Sequence, residues 1–300
     1  LGPMRVGWHG VLQSFADGIK LLLKEDIIPK DVDRPLFKLA PALVVAGTFA
    51  AFAVIPWGAG LVISDLNIGL LYIVAITSLN AIGILMAGWS SANKYSLYGG
   101  MRSAAQMVSY EIPTVLILLV VVVQVGSMNL QDVVVAQQGG LFGWFIFRMY
   151  GLNLVAFVVL FICGLAETNR TPFDIPEAES ELVAGYQVEY SSTPFLLFMA
   201  GEYIAIFLMC ALTSLLFFGG WLSPIPGLPD GVLWMIAKMA FFFFLFAMVK
   251  AITPRYRYDQ LMRLGWKVFL PFSLAWVVFV AFAAKFELFW GAYARWGMGG

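Results

Sequence analysis

Residues 193–220 read TPFLLFMAGEYIAIFLMCALTSLLFFGG. Across this whole run only Glu202 carries charge at neutral pH. The run exceeds the roughly 20 residues an α-helix needs to cross a hydrocarbon layer, and it has no polar face to turn toward water. Six further runs of similar character occur at about 36–57, 68–89, 103–125, 145–166, 231–253 and 268–290. The expected fold is therefore an all-α polytopic membrane protein. It forms a single transmembrane helical domain over residues 1–300, with seven transmembrane helices visible.

Composition agrees: 61% of residues are hydrophobic and only 12% are charged, against about 25% charged in soluble domains. Basic and acidic residues balance at 18 each, which leaves no excess of positive charge to attract nucleic acid. Cys163 and Cys210 stand apart in apolar runs, and His9 is the sole histidine. That is too few ligands for a haem, an iron–sulfur cluster or a structural zinc. With no strand-flanked GxGxxG or Walker A pattern either, nothing in the chain is expected to carry electrons or bind a metal.

Orientation follows from the distribution of lysine and arginine. With the N-terminus on the cytoplasmic side, fourteen of the eighteen basic residues fall on that side, the exceptions being Arg148, Lys238, Lys285 and Arg295. This is the positive-inside pattern, and it places the N-terminal segment and the basic loops in the cytoplasm. Trp57, Trp89, Trp144, Trp221, Trp266 and Trp290 lie at the ends of runs, as in an aromatic belt at headgroup level. In residues 10–25, Val11, Leu12, Phe15, Ile19, Leu22 and Leu23 recur at helical spacing opposite Gln13, Asp17, Lys20 and Lys24. The segment reads as an amphipathic helix lying in the interface, or equally as a connector packed on protein. Pro113 and Pro271 lie inside spans and are expected to bend them.

Ionisable groups inside the apolar runs are the most informative. Glu111 and Glu202 each sit about nine residues into a span, Glu167 closes the fourth, and Lys238 lies about seven residues into the sixth. A charge near the bilayer centre costs about 2.5–3.5 kcal/mol even on insertion scales, so such groups face a bundle interior or a wet cavity. One reading is a structural ion pair, for example Glu202 with Lys238. The other is a proton-conducting or charge-coupling line, which three carboxylates on three spans favour.

Two loops on the expected cytoplasmic side complete the pattern. In ETNRTPFDIPEAESELVAGYQVE, residues 167–189, the acidic groups Glu167, Asp174, Glu177, Glu179, Glu181 and Glu189 share the segment with a single Arg170. Pro172, Phe173, Ile175, Leu182 and Tyr186 interrupt the charge, so the acidic loop (167–192) reads as folded and packed rather than as a solvated tail. The next loop is basic, with Lys250, Arg255, Arg257, Arg263 and Lys267 against Asp259. The two loops are expected to pair across a shared chamber, although topology alone would also account for the basic one.

At this point the residues point to a family. AETNRTPFDIPEAESELVAGYQVEYSS at 166–192 closely resembles the signature loop of the H subunit of bacterial NADH:quinone oxidoreductase, the quinone-chamber membrane subunit of respiratory complex I. GPMRVGWHGVLQSFADGIKLLLKEDIIP at 2–29, AQMVSYEIP at 105–113 and PRYRYDQLMRLGWKVFLP at 254–271 are similar to further family segments and run in family order. The sequence departs from the pattern where RVGP is usual and Arg5-Val6-Gly7-Trp8 stands, at Leu12-Gln13-Ser14, and at Lys250 in place of arginine. The family also has an additional N-terminal span. No signal peptide is read, and because the sequence opens on Leu1, an incomplete start is expected.

The resemblance implies roles for particular residues. Glu111, Glu167 and Glu202 match a proton relay, and Asp174, Glu177, Glu179, Glu181 and Glu189 match a coupling loop that responds to quinone chemistry. Arg170, Phe173, Arg255, Arg257 and Asp259 match the quinone chamber or its contacts with the peripheral arm, and Val11, Phe15 and Ile19 match the quinone portal. Quinone would be a substrate, with flavin and iron–sulfur clusters held by other subunits. The implied partners are peripheral-arm iron–sulfur and quinone-site subunits, small membrane subunits, antiporter-like subunits and the lipids of a bacterial inner membrane. A stand-alone secondary transporter also suits buried carboxylates and a kinked helix, but would purify intact alone. Related membrane subunits also serve hydrogenases and other donor complexes.

Overall fold

A computed structural model describes residues 2–175, 179–225 and 227–285. These residues are helical, with one isolated bridge between Gly58 and Leu61. The helices are α1 (Gln13–Leu23), α2 (Arg34–Ala51), α3 (Gly69–Ser90), α4 (Lys94–Val125), α5 (Leu130–Val135) and α6 (Asn153–Glu167). They continue as α7 (Glu179–Leu182), α8 (Ser192–Phe217), α9 (Val232–Ile252), α10 (Tyr258–Leu264) and α11 (Leu270–Lys285). Six stretches among them are long and apolar enough to cross a membrane: Arg34–Val54, Gly69–Ser90, Lys94–Val125, Ser192–Phe217, Val232–Ile252 and Tyr258–Lys285.

The expected span at 145–166 needs correction. Residues 145–151 form two 3₁₀ turns, and α6 itself has only 15 residues. Polar side chains fix how it lies beside α4. The Asn153 amide donates to Gln124 Oε1 (2.9 Å) and to the Phe145 carbonyl (2.9 Å) at one end. At the other, Gln106 Nε2 donates to the Ala166 carbonyl (2.8 Å). Gln106 and Gln124 are separated along α4 by roughly 27 Å at 1.5 Å per residue. The short helix and its 3₁₀ turns thus cover nearly the length of a ~30 Å hydrocarbon slab. Two further boundaries move: α4 begins at Lys94 rather than 103, and the last span begins at Tyr258 rather than 268.

Small residues let the helices close on one another, as expected where lipid supplies no hydrophobic drive for helix association. Val44 of α2 wedges between Gly83 of α3 and Gly201 of α8, where an added Cβ would lie 2.6 and 2.8 Å from its methyl groups. Gly88 and Gly100 bring α3 against α4, with an added Cβ on either only 3.1 Å from the other's Cα. α8 also pins α1, since Ser192 Oγ donates to the Leu21 and Lys24 carbonyls (3.1 and 2.6 Å) at the end of that helix.

Of the two expected proline bends, α4 remains helical through Pro113. Pro271 follows a π-helical turn, Gly265–Phe269, so the irregularity lies in the turn before it; π-turns of this kind insert one extra residue into a helix. Pro41, inside α2, is a third intrahelical proline.

Lys238 does not pair with Glu202. Its Nζ donates to the carbonyls of Phe218, Gly220 and Leu222 (2.6, 2.8 and 2.7 Å) and lies 4.3 Å from the centroid of Trp144. A cation there satisfies the bare carbonyls where α8 ends. The expected aromatic belt changes accordingly. Trp89 is exposed at the end of α3 and Trp266 is exposed in the π-turn, whereas Trp144 and Trp221 are buried. Trp290 falls outside the described residues.

Two outcomes test this packing. K238M strips three carbonyls of their donor and is expected to cost about 2–4 kcal/mol, read as a lower unfolding temperature in detergent; an unchanged transition would refute the capping role. G99A places a Cβ 2.7 Å from the backbone of Gly185 and is expected to cost about 1–3 kcal/mol by overpacking. Unaltered stability would show that this contact yields freely.

Candidate functional site

Five helices line a cavity of about 40 Å³. Met107 and Glu111 reach it from one face of α4 (i and i+4), while Glu167 and Thr168 reach it from the end of α6. α3 supplies Thr77, Ser78, Asn80 and Ala81, α2 supplies Thr48, and α8 supplies Ala205, Leu208 and Met209. Thr48 and Thr77 donate their hydroxyl protons back to their own helices, to the Val44 (3.1 Å) and Ile73 (3.0 Å) carbonyls. Their oxygens are left as acceptors. Asn80 Oδ1 and Glu167 Oε1 are buried with no hydrogen-bond partner. The cavity therefore presents acceptors and calls for a donor: a proton on a carboxyl group, or a water, for a few of which the volume has room.

Glu202 does not line this cavity. Its carboxylate is buried in a separate network about three turns into α8. The Tyr186 hydroxyl donates to Oε1 (3.1 Å), Gln187 Nε2 reaches the same oxygen (3.4 Å), and Arg170 Nη2 lies 3.4 Å from Oε2. Gln187 Nε2 also donates to the Tyr186 hydroxyl oxygen (2.9 Å). Arg170 stacks over Tyr203, 4.6 Å from the ring centroid. A buried carboxylate is tolerated when it is paired and hydrogen-bonded in this way. Arg170 and Tyr203 also face a second cavity of about 170 Å³, lined further by Ile206, Phe243, Phe246, Ala247 and Lys250.

The acidic and basic loops meet. Arg255 pairs with Asp174 (3.0 Å), and the Tyr256 N–H donates to the Pro172 carbonyl (3.0 Å). Phe173 is buried between Tyr110 and Tyr256, stacking on the latter at 5.7 Å. The root of the acidic loop is bound to α4 by Gln106 Nε2, which donates to the Ala166 and Phe173 carbonyls (2.8 Å each) and meets Asn169 Oδ1 (3.2 Å).

The remaining predicted residues are dispersed around this centre. Glu181 pairs with Arg102 of α4 (2.6 Å), and Glu189 accepts from Asn93 Nδ2 (2.6 Å). Arg257 pairs with its neighbour Asp259 (3.1 Å), on the surface. Val11, just before α1, and Phe15 and Ile19 on it have exposed side chains. Glu177 and the side chain of Glu179 lie outside the described residues.

Several polar residues at these sites were not singled out from the sequence: Thr48, Thr77, Ser78, Asn80, Gln106 and Gln187. Uncharged amides and hydroxyls are ordinary in apolar helices, where hydroxyls can bond to their own backbone. A signal was present all the same. Thr77-Ser78-Leu79-Asn80 crowds three polar side chains into a single turn of an otherwise apolar run.

Comparison with known proteins bears on the whole chain. Residues 1–281 match the family model for NADH dehydrogenase. The chain is 67% identical to the H subunit of NADH-quinone oxidoreductase from Roseobacter denitrificans, covering 100% of this chain and 86% of the relative. It is 66% identical to that of Ruegeria pomeroyi, with the same coverage. Against that of Rhodobacter capsulatus it is 60% identical, over 99% and 86% respectively. The chain belongs to the family of NADH-quinone oxidoreductase H subunits, as a multi-pass membrane component of that complex.

Proposed function

We propose that this chain forms the membrane wall of a quinone-binding chamber and couples quinone reduction to proton translocation. The observation that carries this reading is the cavity shared by Glu111 and Glu167, an acceptor-rich space between helices. In this reading quinone enters from the bilayer past Val11, Phe15 and Ile19 and takes up two electrons from an iron–sulfur cluster in a peripheral-arm subunit. Two protons complete its reduction to the quinol. The cavity beside Arg170, Tyr203 and Lys250 suits part of that path. Its phenylalanines offer apolar surface to a ring or tail, and its cations oppose the negative charge that builds up as electrons arrive.

Charge is then passed on through the protein's own groups. Arg255–Asp174 and Phe173–Tyr256 tie the acidic loop to the basic loop, so altered charge at the quinone acts on both. Asp174, Glu177, Glu179, Glu181 and Glu189 form the responsive segment, while Arg257 and Asp259 face a docked peripheral subunit. Glu202 senses the change at the loop, and Glu111 and Glu167 exchange protons across the cavity toward antiporter-like subunits. This orientation puts the loop-bearing face in the cytoplasm of a bacterial inner membrane, with α6 as the seventh span. Small membrane subunits and lipid cover the exposed apolar flanks.

The test uses the assembled enzyme in proteoliposomes, with protons counted per electron. E202Q is expected to lower proton translocation by roughly tenfold or more, within the range set by loss of a positioned proton-transfer group. Wild-type stoichiometry would remove Glu202 from the relay. E111Q and E167Q are each expected to impair pumping, and the double variant to be little worse than the more damaging single, since groups that act as a unit are not additive. Multiplicative losses would mean that the two carboxylates serve separate routes.

A further inference from the structure

The turn Gly185–Gln187 lies near the end of the acidic loop, just before α8, and it is fixed in place from α4. Ser96 Oγ donates to the Tyr186 carbonyl (3.1 Å), and Gly99 packs so closely on Gly185 that a Cβ would lie 2.7 Å from its backbone. The side chains of Tyr186 and Gln187 turn the other way, toward Glu202. Tyr186 is 1% exposed and Gln187 is 4% exposed. The Tyr186 ring packs edge-on to Phe198 (5.4 Å), and this contact aims the tyrosine hydroxyl at Glu202 Oε1. Gln187 holds that hydroxyl oxygen from behind and reaches the same carboxylate oxygen. The opposite oxygen of Glu202 faces Arg170, which leads into the acidic loop from its first residues.

The geometry points to Tyr186 and Gln187 as positioning residues: they hold the Glu202 carboxylate against Arg170 and make that pairing depend on how the acidic loop is seated on α4. The loop contacts Glu202 from both of its ends, through Arg170 at the start and through Tyr186–Gln187 at the finish. Movement of the loop therefore cannot leave the carboxylate's partners unchanged. A carboxylate that loses donors in a buried site loses the stabilisation of its charged form, so loop position and charge at Glu202 are linked mechanically. This rests on the relay role proposed above for Glu202.

Y186F removes one oxygen and keeps the ring packing. Tyr190 provides the control: it packs on Phe37 and on the same Phe198, and its hydroxyl meets the Phe37 carbonyl (3.2 Å) and Ser90 rather than Glu202. The measurement is made on the assembled complex in proteoliposomes, with NADH oxidation by a hydrophilic acceptor that bypasses quinone serving as the measure of assembly. Y186F is expected to lower protons pumped per unit of that activity by about tenfold, the scale set by one hydrogen bond to a charged group. Y190F is expected to leave it within about twofold. Q187M, which deletes both donors of Gln187, is expected to follow Y186F and tests the same link should Y186F fail to assemble. Wild-type pumping in Y186F or in Q187M would overturn the proposal, and so would equal losses in Y186F and Y190F, which would mark a packing effect. If E202Q is impaired while Y186F is not, only this positioning role falls. If E202Q itself pumps normally, the relay reading falls first.

Discussion

A carboxylate buried among apolar helices must be met by donors, and this constraint shapes the protein around Glu202. Hydrocarbon cannot solvate the charge. The chain answers with one cation and two hydrogen-bond donors, all drawn from the segment that joins α6 to α8. That segment therefore cannot be a free loop. Its first residues are gathered by Gln106 and stacked on the basic loop through Phe173 and Tyr256, and its last turn is seated on α4. Supporting one buried charge is thus inseparable from placing both ends of a long connection that carries several further acids.

The second consequence is spatial. Glu202 and the Glu111–Glu167 cavity are separate environments. The first is saturated with partners, while the second is short of donors, with Asn80 and Glu167 presenting unpartnered oxygens to it. Within one bundle, these two environments make opposite demands on a proton. α8 borders both, contributing Glu202 to one and Ala205, Leu208 and Met209 to the other. A single helix is thus shared by the Glu202 network and the Glu111–Glu167 cavity.

Much of this was legible in the sequence, and the parts that were not have physical reasons. Long apolar runs marked the six long spans because lipid removes the alternation that hides helices in soluble proteins. Hydropathy misplaced the start of α4, since Lys94 and Arg102 belong to its helix, Arg102 pairing with Glu181 of the acidic loop. It also took 145–166 as one span, because 3₁₀ turns and α-helix are equally apolar. The carboxylates stood out by charge alone, yet their arrangement did not. Spacing along the chain cannot show that Glu202 answers to Arg170, or that Lys238 caps carbonyls of the chain that follows α8. The uncharged partners left the faintest trace, because an amide or hydroxyl in a membrane helix becomes informative only when its neighbours are known.

The π-turn at Gly265–Phe269 has a consequence for register. One surplus residue puts α10 out of phase with α11 by about a hundred degrees. The basic loop thus looks toward Asp174 and Phe173, while α11 lies against α4 with Ser273, Val280 and Ala283 buried. The stretch before α11 is itself held to α4, where the Tyr110 hydroxyl donates to the Leu261 carbonyl (3.0 Å) and Trp266 Nε1 donates to Ser109 Oγ (2.9 Å). One helix of the bundle thereby serves as the common footing for the shaft of the last span and for the end that bears the loop.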